Sequence, residues 1–334
     1  MSNIIVSIII VTKEITKYLK PCLDSVKGQI YPGEVEVLVI DNSLNREYAE
    51  GIRKGYPQVK LFSPERGLSY CAALNLGINN SRGDFILCLN DDTELAQNFL
   101  AETIKGFSKG PRVGMVSGKI LRRDKKTLDS AGLFLSIFYT ACERGYGSKD
   151  LGQLEKEGDV FGVGGAVAFY RKEMLEEIKS GPDYFDPDFG FFYEDLDVSW
   201  RARNSGWKGY YIPKAVAYHV RGATARGNAG INRPFARRYL SDDLHLDLMK
   251  NRYLCVIKNE SGLNFLGHIP FMAAYDVLAL GYCLFFKPRL IGLFFKNLKY
   301  LKSGLNRRWK KKSVFNLTNY YKGCIFCLLC KRHI

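Results

Sequence analysis

Two clusters of carboxylates and one histidine carry the chemistry this sequence could do. The first is Asn90-Asp91-Asp92, at the end of the run FILCLNDDT. Adjacent carboxylates repel, and when a strand end holds them together a cation or a donor-rich ligand usually offsets the repulsion. The same residues also suit a helix cap, since Asp92 or Thr93 can receive the amides of a helix starting near Leu95. The second cluster is FFYEDLDVSWR, residues 191–201. Glu194, Asp195 and Asp197 crowd what reads as the first turn of a helix, where exposed amides and the helix dipole favour negative charge. Asp197 and Arg201 stand four apart and can pair on one face, in the plainest case as a surface ion pair. Asp195 points away from such a pair toward the aromatics, where burial would raise its pKa into the range of a general base. His219 closes the run AVAYHV and is one of four histidines. A lone histidine is more often packed than ligating. With two acidic clusters in the same fold, though, His, carboxylates and phosphate oxygens make a fitting set for Mn²⁺ or Mg²⁺.

These groups need a scaffold, and the first 120 residues describe one. Short β-branched runs at 4–11, 35–40, 59–62, 85–89 and 113–117 read as strands, separated by stretches of near-3.6 apolar spacing at 16–29, 69–79 and 95–107. Strands apolar on both faces, alternating with helices, predict an α/β chain with a mostly parallel sheet covered by helices on each side. Ligands bind such sheets at the carboxyl ends of the strands. Thr12, Asp41-Asn42-Ser43 and Asn90-Asp91-Asp92 follow three of those ends. Residues 120–160 read as strand and loop, 160–170 as one strand, 194–206 as a helix, and 208–212 and 215–220 as two strands. A glycine- and arginine-rich loop over 221–234 then gives way to helix, which places a domain boundary near 232: 1–232 catalytic, 233–334 helical and basic.

In this order the pieces resemble the family 2 glycosyltransferases, which have the GT-A (Rossmann-like) fold, and within them the rhamnosyltransferase-like branch. The matching segments are VSIIIVTKE, VEVLVIDNS, ERGLSYCAALNLGI, FILCLNDDT, VGGAVAFYRKEML, FDPDFGFFYEDLDVSWRARNSGW and AVAYHVRGAT, spanning about residues 3–225. The resemblance implies a metal-dependent, inverting transferase that moves one hexosyl or rhamnosyl unit from a UDP-, GDP- or dTDP-sugar to a hydroxyl of a saccharide acceptor. By the same resemblance Thr12, Glu14, Asp41, Asn42, Gly67, Asn75 and Asp91 would face the nucleotide-sugar donor. Asp92, His219 and Asn90 would stand at the metal, Asp195 would be the catalytic base, and Gly165, Glu194 and Arg201 would meet the acceptor or donor sugar. Three positions depart from the family pattern. Asn90 replaces the first acid of the DxD motif, Glu14 stands where Asn is common, and Glu65 where an Asn usually precedes the x-Gly pair. Two other classes compete with transfer. A dinucleotide-binding oxidoreductase could use a parallel sheet, but GVGGAV at 162–167 lacks the last glycine of GxGxxG and does not follow the first strand. A non-catalytic membrane-bound sugar- or nucleotide-binding protein would not need both acidic clusters.

The formal charge of +15 over 334 residues is local: 277–334 hold 13 basic residues and no acid. Ordinary hydrophobic (46%) and charged (25%) content excludes disorder, a collagen-like chain or a disulfide miniprotein. The apolar run at the N-terminus is too short and wrongly flanked for a signal peptide and reads as a buried strand. Scattered cysteines fit reduced thiols in a cytoplasmic setting. Residues 265–286 are apolar and long enough to cross a bilayer, but Pro270, His268 and the central Asp276 oppose crossing. Aromatic and aliphatic residues interleaved with Lys296, Lys299 and Lys302 read instead as a helix in the membrane interface, beside an anionic leaflet. That predicts peripheral or shallow attachment at the cytoplasmic face of a membrane and a lipid-linked saccharide acceptor. The alternatives are a helical hairpin packed on the catalytic domain and, less well matched by so apolar a segment, a nucleic-acid groove; no nucleic-acid partner is expected. LNRRW at 305–309 has Leu305 where the QxxRW motif of processive synthases has Gln, which favours single-sugar addition. Cys324, Cys327, Cys330 and His333 recur every three residues, a spacing open to zinc, to a packed helix face or to lipidation.

Overall fold

The computed structural model describes residues 4–13, 18–221 and 241–308. Glu14, the boundary at 232 and the Cys324–Cys327–Cys330–His333 set lie outside the described residues. Strands β1 (Ile5–Thr12), β2 (Glu34–Asp41), β3 (Lys60–Phe62), β4 (Phe85–Asn90) and β5 (Thr93–Leu95) alternate with helices α1 (Leu19–Lys27), α2 (Arg46–Gly55) and α3 (Tyr70–Asn79). Helix α4 (Phe99–Phe107) leads into β6 (Val113–Arg122) and the short strands β7 (Leu128–Ser130), β8 (Leu133–Leu135), β9 (Ala141–Glu143) and β10 (Gly158–Val160). Strand β11 (Val167–Arg171), α5 (Lys172–Ile178), α6 (Glu194–Asn204) and β12 (Lys208–His219) complete the sheet region. Four helices follow: α7 (Asp242–Asn259), α8 (Gly262–Phe286), α9 (Arg289–Lys296) and α10 (Leu298–Asn306).

The main sheet has the order β10-β12-β6-β11-β4-β1-β2-β3, with β5 on β12 and β7 on β6. Alternation along β1 divides the core. Ile8 and Ile10 pack with Leu19, Cys22, Phe99 and Leu100 of α1 and α4, while Ile9 and Val11 pack in the layer that holds Leu74, Met174, Trp200 and Leu254. A strand buried on both faces thus carries the continuous apolar run seen in the sequence.

Three details differ from the sequence expectation. The sheet is mixed, because β11 runs antiparallel to both β4 and β6. The expected strand over 160–170 is broken: β10 ends at Val160 and β11 begins at Val167, leaving a glycine-rich turn between them. The two strands expected at 208–220 are one strand, β12, whose register against β6 shifts between Ile212 and Val216. Pro213 lacks the amide needed for an unbroken ladder, and the chain bulges past it. Gly118 opposite makes room, since a Cβ there would stand 2.2 Å from the Ala215 carbonyl oxygen.

Helix α7 belongs to the core: Leu254, Cys255 and Val256 are buried in the same cluster as Trp200. Among the described residues one helix, over Asn264–Phe286, is long and apolar enough to cross a membrane.

Candidate active site

Parallel register aligns the ends of β1, β2 and β4, with Thr12 opposite Asp41 and Val11 opposite Asn90. His219, the last residue of β12, lies opposite Thr93. The Thr12 hydroxyl donates to Asp91 Oδ2 at 2.8 Å. Asp41 is buried and its Oδ1 accepts the Ser43 amide at 3.0 Å. Asn42 makes a two-way bond with the backbone of Leu68, both contacts 2.8 Å, and so ties the loop containing Gly67 to the end of β2.

Asp92 and His219 meet: Asp92 Oδ1 lies 3.2 Å from His219 Nε2. Behind the ring, Asp129 Oδ2 is 2.8 Å from Nδ1, and Arg221 donates through Nε to the other oxygen of Asp129. Burial alone would push the His219 pKa down, but hydrogen bonds and charge from Asp129 and Asp92 outweigh it and bring it up to about 9. Asp129 stays ionised, its own burial outweighed by His219 and Arg221. A carboxylate on one ring nitrogen fixes the orientation of the ring, the usual outer support of a ligating histidine, and the other nitrogen could serve a metal on releasing its proton. Among the described residues no three His, Cys, Asp or Glu side chains converge on one point, so the protein offers an open pair, Asp92 and His219. That set fits a hard divalent cation that completes its shell with substrate oxygens and water. Asn90 is the weaker third candidate, because its Oδ1 accepts from the Tyr70 hydroxyl at 2.9 Å.

The second acidic cluster closes around the β10–β11 turn. Asp195 Oδ2 accepts the Gly165 amide at 2.8 Å and Oδ1 the Leu196 amide at 2.7 Å. Burial raises the Asp195 pKa against the pull of those amides and of Arg221. Glu194 is 7% exposed; burial and the charge of Asp195 push its pKa up to about 8, and its Oε2 has no hydrogen-bond partner. On the other side of the turn Glu143 accepts from the Ser130 hydroxyl, and burial, then Asp195, push it up to about 8 as well. A Cβ on Gly164 would lie 2.5 Å from Glu143 Oε1, and one on Gly165 would lie 3.1 Å from Glu194 Oε1. A side chain at either position would have to push these carboxyls aside. A cavity of about 20 Å³, large enough for one water, lies between Asp129, Glu143, Gly164 and Arg221.

Helix α6 starts from strained backbone. Phe192 and Tyr193 have φ of 71° and 69°, a region costly for aromatic residues. Asn251 of α7 holds them by donating through Nδ2 to the carbonyls of Phe189, Phe191 and Phe192 at 2.6–2.8 Å. One turn on, Asp197 faces the core. Its Oδ2 lies 2.9 Å from both Arg201 Nε and Lys258 Nζ, and its Oδ1 accepts from Asn259. Lys258 also pairs with Asp186 at 2.8 Å.

Arg201 is turned into the core, and Asn75 sits beside the loop that carries Gly67. Arg201 is 2% exposed; its guanidinium is occupied by Asp197 and by the carbonyls of Ile178 and Tyr184. The expected pair with Asp197 is present, buried where a surface position was the plainer expectation. Asn75 is engaged through both amide atoms by residues 183–185. It lines a cavity of about 760 Å³ beside α3 with Glu65, Arg66, Leu68 and Asp183, and so borders the loop that Asn42 ties to the end of β2. Sequence reasoning passed over Asp129, Glu143 and Arg221. The first two lie in the mixed, glycine-containing stretch 120–160, which has no clear periodicity, and the third stands two residues beyond His219.

The sequence model of glycosyl transferase family 2 matches residues 7–179, half of the chain. The chain belongs to this family. Its sheet and helices are those of the GT-A fold of the glycosyltransferases: TarS residues 1–349 of S. aureus in complex with UDP-GlcNAc superposes with a TM-score of 0.59 at 14% identity, over 90% of this chain and 81% of that one. A mannosyltransferase of Pyrobaculum calidifontis in complex with GDP-Man and Mn²⁺ superposes with a TM-score of 0.52 at 16% identity, over 92% and 87%. At such identities the likeness is one of fold. The family 2 relatives include the poly-β-1,6-N-acetyl-D-glucosamine synthase of Staphylococcus epidermidis, 25% identical over 202 residues, 59% of this chain and 45% of the relative. An N-acetylglucosaminyltransferase of Rhizobium meliloti is 26% identical over 209 residues, 60% and 47%. The chain thus spans less than half the length of these two relatives. The family match ends at residue 179, before Asp195 and His219.

Proposed function

We propose that this family 2 member is a glycosyltransferase that moves one sugar from a nucleoside-diphosphate sugar to a hydroxyl of a saccharide acceptor in surface-polysaccharide synthesis. The carrying observation is the meeting of Asp92 and His219 at 3.2 Å, with Asp129 behind the ring. Asp92 and His219 would hold Mn²⁺ or Mg²⁺, which supplies positive charge against a departing diphosphate. Thr12, Asp41 and Asp91, at the ends of β1, β2 and β4, would face the nucleotide and ribose, with Asn42 and Gly67 shaping the loop beside them. Asp195, anchored by two amides and raised by burial, would accept the proton of the acceptor hydroxyl. Attack from the face opposite the diphosphate would invert the anomeric centre. Glu194 and Gly165 border the same space and would contact a sugar.

N-acetylglucosamine is the favoured unit and UDP the favoured nucleotide, because the relatives named above are N-acetylglucosaminyl enzymes and the TarS neighbour holds UDP-GlcNAc. Of the hexosyl and rhamnosyl units expected from the sequence, this reading favours an N-acetylated hexosaminyl one. A dinucleotide oxidoreductase is disfavoured, since residues 162–167 form a turn into β11 and no strand-to-helix phosphate loop. The acceptor is proposed to be lipid-linked and the chain to associate, through the region after 232, with the cytoplasmic face of a membrane.

A panel of UDP-, GDP- and dTDP-sugars with Mn²⁺, read by calorimetry and by nucleotide release, tests the proposal. UDP-GlcNAc should bind and turn over. Binding without turnover on any acceptor would leave the non-catalytic sugar-binding reading, and no binding of any donor would refute both.

A further inference from the structure

Helix α8 has an outer face that nothing in the chain covers among the described residues. Val277, Leu278, Leu284, Phe285 and Phe286 are 61–84% exposed, and Phe295 of α9 is 63% exposed. Its inner face is bound to the globule along its whole length. From its C-terminal end backward, Lys287 pairs with Asp242 at 2.9 Å, Tyr282 stacks on His245 at 5.7 Å, and Asp276 pairs with Arg252 at 2.5 Å. Near its start His268 lies 5.2 Å from the Tyr139 ring. Helix α8 therefore runs antiparallel along α7.

The chain then folds back. Leu290 of α9 is fully buried, and a Cβ on Gly304 of α10 would stand 2.5 Å from Leu254 Cδ1. Arg308 donates to the carbonyls of Ile257 and Glu260, at the end of α7 from which α8 departs. A bilayer crossing would carry one end of α8 about 30 Å from the globule, yet both ends are fixed to the same helix of it. The charge pattern says what covers the outer face. Residues 277–308 contain seven Lys or Arg and no acid, and Arg289, Lys296, Lys299 and Lys302, in the two helices that follow α8, are exposed. Aliphatic and aromatic residues beside charge of one sign complement a leaflet of anionic lipid.

Resting on the membrane association proposed above, we infer that α8 and α9 form a monotopic docking surface. It lies in the plane of one anionic leaflet without crossing it, and the Asp276–Arg252 and Lys287–Asp242 pairs hold α8 on α7.

The full chain, tagged at both termini and made by cell-free translation with sealed vesicles of phosphatidylcholine and phosphatidylglycerol (7:3), provides the test. It should float with the vesicles, and external protease should remove both tags. Flotation should fall at least tenfold in L278E/F285E and on phosphatidylcholine alone, while the melting temperature and UDP-GlcNAc hydrolysis in detergent-free solution stay within twofold of wild type. Flotation with one tag protected would overturn the in-plane inference and leave membrane association standing. Undiminished flotation of L278E/F285E would overturn the assignment of this face. Absence of flotation together with a homodimer that L278E/F285E dissociates would overturn the lipid as occupant, with the transferase reading judged separately by hydrolysis.

Discussion

Lys258→Met should be among the most damaging single changes outside the acidic clusters, although Lys258 is far along the chain from them. Its ammonium is 1% exposed and lies 2.8 Å from Asp186 and 2.9 Å from Asp197. Methionine keeps the stem volume and removes the charge, leaving two buried carboxylates with one guanidinium each: Arg201 for Asp197 and Arg307 for Asp186. Breaking a buried ion pair by removing one partner costs about 3–5 kcal/mol. For 334 residues, at about 2.1 cal/mol/K of unfolding entropy per residue, that corresponds to a fall of roughly 4–7 °C in Tm. The sign with pH follows from Asp197, whose carboxyl burial would raise but which Lys258, Arg201 and Asn259 hold below its ordinary value. Its contribution is full above the unfolded carboxylate pKa of about 3.9 and is lost as pH falls through the lower folded value. The gap between wild type and variant should accordingly be full at pH 7 and shrink below about pH 4. Urea unfolding of wild type, K258M, D186N and the double variant gives the coupling energy. A loss under 1 kcal/mol for K258M, or additivity in the cycle, would show that Lys258 does not hold the 183–189 segment against α7.

Asp129→Asn should weaken Mn²⁺ binding about 10- to 100-fold by freeing the His219 ring, read by calorimetry; unchanged affinity would count against Asp92 and His219 as the metal pair. Asn251→Ala releases the three carbonyls behind Phe192 and Tyr193 and should lower turnover while leaving Mn²⁺ affinity within twofold; equal loss of both would make its effect a general unfolding. Glu194, raised to about 8, contributes stability that is full below pH 4.5 and is lost as pH rises toward 8. Glu194→Gln should remove up to about 1.4 kcal/mol per pH unit of that decline, measured by urea unfolding from pH 5 to 8; parallel curves would contradict a buried carboxyl of raised pKa at this position.

What was legible in the sequence was local. The runs of Ile and Val in β1 announced a doubly covered strand, and the polar residues after β1, β2 and β4 marked the carboxyl edge. The three acids at Glu194–Asp197 announced a helix start. Strand direction has no periodicity, so the antiparallel β11 was invisible, and VFGVGGAVAFY is apolar enough to hide the turn at its glycines. Partners distant in sequence were equally hidden. Asp129 reaches His219 across 90 residues and Lys258 reaches Asp197 across 61. The i,i+4 rule found Asp197 with Arg201 but not the burial that makes the pair structural. That burial took Arg201 away from the sugar site expected for it.

Asp195→Asn decides the central claim most directly. Asparagine keeps a carbonyl oxygen for the Gly165 amide but cannot take a proton from an acceptor hydroxyl. With UDP-GlcNAc, Mn²⁺ and a saccharide acceptor, sugar transfer by Asp195→Asn should fall at least a thousandfold while donor affinity stays within about threefold of wild type. Transfer at the wild-type rate would remove Asp195 from the reaction and contradict the site proposed for this chain.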